Sequence, residues 1–371
     1  MGLSTGPHAL SQTKPQPRDD SHQTKTKARR SRGFSTASAK SVFQVHAVDA
    51  CGNVVVRKRL SRAQVAPYFS GLERCVVGIE ACATAHHWAR TIAAQGHEVR
   101  LLPPSYVKPY VKRGKTDAAD AEAICEATTR PTMRFVPVKT LDQQAMLTLH
   151  RVRDLLIKSR TMLINALRGL LAEFGLVAPK GREGLAQLRE ALAKAGAERV
   201  PSLARPAFAA LQAQIAEIDR RVHEVERAIV AWHNGNELSK LAASAAGVGP
   251  ITATAAIAIA GDMTRFRSGR HFSAWVGIVP RQTGTGGKVT LGPISKMGNR
   301  YLRRLLVLGA TSLLRQAKNP RTEQMAWLKA VLDRRPARVA AIAQANKTAR
   351  ILWAILTTGV AYERKPLPGA V

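Results

Sequence analysis

RCVVGIEACATAHHWARTIAAQGHEVRLLPP, residues 74–104, is the stretch whose reading decides the fold. RCVVGIE (74–80) is an apolar run ending on an acid, the pattern of a strand buried on both faces. ACATAHHWARTIAAQG (81–96) reads as a helix closed by Gly96, and EVRLLPP (98–104) as a second strand. Upstream, VFQVHAV (42–48) and VVVRKRL (54–60) read as two strands joined by the turn DACGN. Downstream come a basic loop, YVKPYVKRGK (106–115), and a helix. This order predicts an α/β domain over 41–137.

The rest of the chain reads as helical. LLIKSRTMLINALRGLLAEF (155–174) and FAALQAQIAEIDRRVHEVERAIVAW (208–232) carry apolar residues at three- and four-residue spacing. They predict a long antiparallel coiled-coil arm, or an oligomer contact, over 138–237. A mostly helical C-terminal domain follows over 238–360, with a short tail at 361–371. Residues 1–40 are polar, basic and aperiodic, and read as a disordered tail.

Among 371 residues, 57 Lys and Arg stand against 25 Asp and Glu, a formal net charge of +32. A polyanion is the natural partner, and nucleic acid the chief one. Aromatic residues make up only 5%, so phosphate contact rather than base stacking is the expected mode. Cys51, Cys75, Cys82 and Cys125 show no CxxC spacing, which argues against a zinc ribbon and fits a reducing cytoplasm. The longest uncharged run, AASAAGVGPITATAAIAIAG (242–261), is built from small residues and broken by GVGP. It is not read as a membrane span.

Against this basic background, RGKTDAADAEAICEA (113–127) places Asp117 and Asp120 about one helical turn apart. One reading is a helix start capped by Thr116, with acids at the positive end of the helix. The other is a divalent-metal site completed by Glu80, at the end of its strand. Glu80 also has a plain reading, as a cap for the helix after it.

GVGP between two helical segments is the signal of a helix–hairpin–helix, in which Gly247 and Gly249 bring backbone close to phosphate. An ordinary Gly-Pro turn is its alternative. FSAWVGIVPRQTGTGGKVTLGPISKMGNRYLRRLLVLGA (272–310) carries Thr283, Thr285 and Ser295 as candidate nucleophiles on a stretch read as flexible. Lys288, Lys296, Arg300, Arg303 and Arg304 are its candidate phosphate ligands. A basic hairpin that binds nucleic acid without chemistry is equally consistent with it.

VFQVHAVDACGNVVVRKRL, VVGIEACATAHHWAR, GHEVRLLPPSYVKPYVKRGKTDAADAEAICEA, RFVPVKT and the GVGP…TGTGGKVTLGPISKMGNRYLRRLLVLGA region together resemble the DEDD transposases of bacterial insertion sequences. These are the bridge-RNA-guided recombinases of the IS-one-ten family and its IS-eleven-eleven branch. The resemblance spans roughly 40–360. It implies a RuvC-like (RNase H-fold) domain with four Mg2+-binding acids, a coiled-coil arm, and a C-terminal domain with a hydroxyl nucleophile that joins covalently to DNA. It also implies a structured guide RNA, and composite sites in a dimer or tetramer.

Glu80, Asp117 and Asp120 match the second, third and fourth acids. The first acid's place falls on Ala37 in FSTASAK (34–40), a segment poor in β-branched apolar residues where the central strand belongs. Asp49, in a hairpin turn, is not expected to substitute. Where the family tends to have serine, this chain has Gly284 and Thr285, and Thr285 is the expected nucleophile. The matches begin abruptly at Lys40, as if residues 1–40 came from a shifted frame or a wrong start. The expected function is an insertion-sequence transposase. Its rivals are a catalytically inactive, nucleic-acid-binding remnant of that family and a helix–hairpin–helix repair nuclease.

Overall fold

The computed structural model describes residues 33–38, 42–112, 114 and 116–367. Compact packing divides the chain after Val138. In the first unit, β1 (Gly33–Ser38), β2 (Val42–Val48), β3 (Val54–Ser61), β4 (Val76–Glu80) and β5 (Glu98–Leu102) form one sheet in the order β3-β2-β1-β4-β5. β1, β2 and β3 run antiparallel, whereas β4 runs parallel to β1 and β5 parallel to β4.

Alternate strand residues sort to the two faces. Phe43, Val45, Ala47, Val77 and Ile79 pack with Val65 and Phe69 of α1 (Arg62–Ser70) and with Trp88 and Ile92 of α2 (Ala85–Ala93). The opposite face is covered by α3 (Asp117–Thr128), which carries the buried residues Ala121, Ala123, Ile124 and Ala127. Gly78, on β4, lets α3 come close. A Cβ there would lie 1.9 Å from Thr128 Oγ1.

Three expectations change. Residues 33–38 belong to the sheet and not to a disordered tail; β1 is its central strand, held by ladders to β2 and β4. FSTAS lacks strand propensity, but two flanking ladders outweigh a preference that depends on context. The rest of the expected tail, residues 1–32, 39 and 40, lies outside the described residues, as do Arg113 and Lys115 of the basic loop and the last four residues of the C-terminal tail. The helix expected from residue 81 starts at Ala85, because residues 81–84 form a turn in which Thr84 is left-handed (φ 72°). Helix α1, capped by Ser61 and Gln64, carries an internal Pro67 that hides it from pattern reading.

The second unit is helical. Its elements are α4 (Leu141–Ala172), α5 (Arg182–Lys194), α6 (Arg205–Asn234), α7 (Glu237–Ala243), α8 (Pro250–Ala260), α9 (Gly269–Val276), the strands β6 (Pro280–Thr285) and β7 (Lys288–Ile294), then α10 (Arg300–Gln316), α11 (Glu323–Leu332) and α12 (Ala337–Thr358). The long helices α4 and α6 pack side by side in opposite directions. Arg153 pairs with Glu226 at 2.7 Å, and Arg160, seven residues on, with Asp219, seven residues back, at 2.6 Å. The buried residues Phe208, Ile215, Val222 and Ile229 of α6 recur every seventh position.

One end of this pair is closed by Leu188 and Leu192 of α5. At the other end, Met146, Leu147 and Ile229 enter a core with Ala253, Phe272, Leu302 and Leu352. Helix α8 is buried over nearly its whole surface, which explains why its sequence carries no charge. No described helix is long and apolar enough to cross a membrane.

His150, 1% exposed, ties three of these helices together. Thr254 Oγ1 donates to Pro250 O at 2.8 Å, so it accepts from His150 Nε2–H at 3.0 Å. Tyr301 O–H then donates to Nδ1, also at 3.0 Å. Burial, reinforced by the Arg153 charge, pushes the imidazole down to about 4.

Two outcomes follow for stability. Gly78→Val should force α3 off β4 and cost about 1–3 kcal/mol by overpacking, read as a fall in the melting temperature. His150 is neutral in the fold but protonates more readily when unfolded. Its contribution is therefore complete above 6.5 and is lost as pH falls from there towards 4. That loss is on the order of 3 kcal/mol. His150→Gln should flatten that limb of the stability–pH curve, measured by urea unfolding.

Candidate functional site

The first unit brings Glu80 and Asp120 together. Glu80 ends β4, where the chain turns out of the sheet: Cys82 N–H donates to Glu80 O at 2.8 Å, and Thr84 holds its left-handed conformation. Helix α2 is capped at Thr84, so Glu80 is not its cap. Asp120 is in the first turn of α3, and its N–H donates to Thr116 O at 3.0 Å. Burial raises the Glu80 carboxyl above its ordinary value, and the negative charge of Asp120 raises it further. Two like charges have thus been brought within electrostatic reach, an arrangement a bound cation would relieve.

Thr116 caps α3, accepting from Ala119 N–H at 3.2 Å, so the capping reading holds for Thr116 itself. Asp117 is exposed at the first residue of the helix. Glu122, the next acid along α3, is turned to cations: its carboxylate pairs with Lys112 at 2.5 Å and meets Arg57 at 4.0 Å. Asp49 is committed to its own turn, accepting from Cys51 N–H at 2.8 Å and Asn53 N–H at 2.9 Å. Thr36 pairs with Ile79 in parallel register, so Ala37 is the next residue along β1 just as Glu80 is along β4. Alanine has no oxygen to offer there.

Glu80 and Asp120 present hard oxygen donors. Magnesium is commonly held by one or two carboxylates, with water and substrate phosphate completing its shell. Among the described residues, no three His, Cys, Asp or Glu side chains are close enough to hold a metal by themselves. The pair therefore fits a cation shared with a phosphodiester, and not one closed in a protein cage.

In the second unit, β6 and β7 form an exposed hairpin. Gly286 (φ 56°) and Gly287 (φ 79°) make its two-residue turn, so the glycines read as flexibility supply the left-handed geometry that a tight hairpin requires. Thr285 pairs with Lys288 across this turn, and Thr283 with Thr290. Thr285 thus stands at the tip, opposite a lysine in the register. Ser295 is placed differently: its Oγ is buried at the foot of the hairpin without a hydrogen-bond partner. Lys296, also at the foot, is exposed and held in the left-handed region (φ 55°).

The expected phosphate ligands divide by what already holds them. Lys288 and Arg300 are exposed. Arg303 donates to Val276 O at 2.9 Å and Gly298 O at 3.3 Å, bracketing the segment after α9. Arg304 pairs with Asp154 and lies 5.2 Å from the Tyr301 ring.

Around GVGP, Gly247 is left-handed (φ 78°), and a Cβ there would meet Gly309 O at 2.9 Å. It serves close packing of the turn on α10. Gly249 caps α8 with open space where a side chain would be. Sequence reading missed Gln324, Arg315 and Arg321, which line one cavity with Gly247; lying in separate helices and loops, they share no local pattern.

Comparison with known proteins gives concordant matches. The transposase family described as IS116/IS110/IS902 matches residues 239–326, and a DEDD transposase family of the IS110 type matches residues 38–175. A probable family 20 transposase of Pseudomonas aeruginosa is 47% identical over 325 residues, covering 87% of this chain and 96% of that protein. The transposase for insertion sequence element IS1111A of Coxiella burnetii is 41% identical, covering 87% and 89% respectively. The transposase for IS1328 of Yersinia enterocolitica is 39% identical, covering 88% and 96%.

The Glu80–Asp120 pair has a measurable signature. A carboxyl raised in the fold binds more protons folded than unfolded, so stability falls as pH rises above the ordinary glutamate value of 4.5. In metal-free buffer, Glu80→Gln should abolish that fall and raise the melting temperature at pH 7. Added Mg2+ should raise the melting temperature of the unsubstituted protein and leave that of Glu80→Gln unchanged.

Proposed function

The chain is a DNA transposase of the IS116/IS110/IS902 family, and we propose that it cuts and rejoins DNA through Mg2+ held by Glu80 and Asp120, with Asp117 of the same helix turn as the third acid of the set, drawn in with the substrate phosphate, and through the Thr285 hydroxyl as nucleophile. The observation that carries this reading is the Glu80–Asp120 pair: a carboxyl at a strand end raised by burial and by the negative charge of a second acid at a helix start, in a chain of net charge +32. A bound divalent cation polarises a phosphoryl oxygen and stabilises charge that develops on it. Thr285 Oγ attacks phosphorus, a phosphodiester forms between protein and DNA, and a sugar hydroxyl leaves. Rejoining reverses the exchange with a different sugar hydroxyl. The exposed hairpin tip suits this role, since a nucleophile for duplex DNA must reach outward, and Lys288 beside it offers charge to the phosphate.

The remaining assignments belong to the same proposal. The seven-residue spacing along α6 supports a coiled-coil arm formed with α4. Segment α7–turn–α8 is read as a helix–hairpin–helix whose Gly249 offers backbone to phosphate while Gly247 secures the turn, with Lys288, Lys296, Arg300 and Arg303 as further DNA-binding residues. A structured guide RNA and a dimer or tetramer follow from the family resemblance. A second reading, a nucleic-acid-binding remnant without activity, is favoured by one residue: Ala37, the residue after Thr36 where the β1–β4 register ends at Ile79, removes one ligand of a four-acid set.

The test is formation of a protein–DNA adduct that survives SDS, using DNA that carries the ends of the element, RNA transcribed from it, and Mg2+. Thr285→Ala should reduce the adduct to background with DNA affinity retained. Thr285→Ser, which removes the crowding methyl, should form it faster. An undiminished adduct with Thr285→Ala sinks the nucleophile assignment. Unimpaired DNA binding with no adduct from the unsubstituted protein favours the remnant.

A further inference from the structure

A cavity of about 640 Å³ opens between the turn before α8, the C-terminal end of α10 and the start of α11. Its charged lining is Arg315, Arg321 and Arg364, and no Asp or Glu lines it. Arg364 is fastened to the turn, donating to Ser244 O through Nε at 3.3 Å and Nη2 at 3.2 Å. Arg315 and Arg321 are exposed. Gln324, only 6% exposed, also lines the cavity, and its Nε2 is buried with no acceptor. A buried amide donor left unmatched is costly, and this one belongs to a side chain that lines the same cavity as three guanidinium groups. The first turn of α11 lines the same space through Thr322 and Gln324, and its positive end favours an anion.

The three features ask for one chemistry. The guanidinium groups select an anion with several oxygens. The neutral amide selects an acceptor able to enter deeply enough to reach it. The volume exceeds that of a lone phosphate and has room for the flanking sugars. We propose that this cavity seats a backbone phosphodiester of DNA, held by Arg315 and Arg321 at its mouth and by Gln324 Nε2 within. The proposal rests on the DNA-transposase reading and adds to it a contact away from the hairpin tip. It positions DNA and reads no sequence.

The experiment is fluorescence-anisotropy titration of the full chain with duplex DNA from the element's ends, over a salt series. Arg315→Gln and Arg321→Gln should each weaken binding about tenfold and lower the slope of log K against log salt by about 0.9. Gln324→Met removes a neutral donor: affinity should fall with an unchanged slope, while the melting temperature holds or rises because no unmatched donor remains. Arg338→Gln, an exposed cation of α12 outside the cavity, gives the background effect of one lost charge. If both cavity arginine variants match Arg338→Gln, or if Gln324→Met binds as the unsubstituted chain does, the cavity is not a phosphate seat even though the chain binds DNA. Failure of the unsubstituted chain to bind DNA overturns both this proposal and the functional reading beneath it.

Discussion

The approach of α3 to β4 at Gly78 is the contact on which the first unit depends. Thr128 Oγ1 is folded back onto its own helix, donating to Ile124 O at 2.6 Å, and it sits where a Cβ on residue 78 would be. The buried alanines at 121, 123 and 127 keep the rest of the helix equally slim. Small residues on both sides let the helix backbone lie close to the sheet, where larger side chains would hold it away. That separation fixes how far Asp120 stands from Glu80. The electrostatic pairing of the two acids is therefore a consequence of packing several residues away from either of them.

The second unit solves a similar problem between helices. Gly247 and Gly309 meet backbone to backbone, and a Cβ on Gly309 would lie 2.0 Å from Gly247 O. The turn before α8 is thereby locked against α10, the helix that follows the β6–β7 hairpin. His150 fastens the same assembly from the other side through Thr254 of α8 and Tyr301 of α10. The hairpin and the cavity at the start of α11 thus project from a braced helical core. An exposed hairpin has little packing of its own, so the placement of any side chain at its tip rests on the rigidity of what anchors it.

Charge is distributed with the same division of labour. Where α4 meets α6, arginines are paired with acids across the two helices, Arg153 with Glu226 and Arg160 with Asp219. These pairs set the alignment of the long helices more than their stability, since partly exposed ion pairs contribute little. Around the hairpin and the α11 cavity, Lys288, Arg300, Arg315 and Arg321 are exposed. These cations carry no work inside the fold.

Much of this was legible in the sequence. The alternation of strand, helix and strand around VVGIE, the two acids of DAAD and the helical periodicity of the two long helices are all local patterns. They follow from backbone periodicity and from the few residues that tolerate a given turn. The central strand could not be read that way, because GFSTAS has the composition of a loop and becomes a strand only when β2 and β4 offer it partners on both edges. Nor could the different fates of two neighbouring glycines, one packed on α10 and the other open, or the meeting of Arg315, Arg321 and Gln324 around one unmatched amide. Sequence by itself determined which residues can carry the chemistry and which elements hold them. Tertiary structure alone decided which carboxylates face each other and which cations are left free, because distance, burial and hydrogen-bond satisfaction belong to the packed molecule and not to any segment of it.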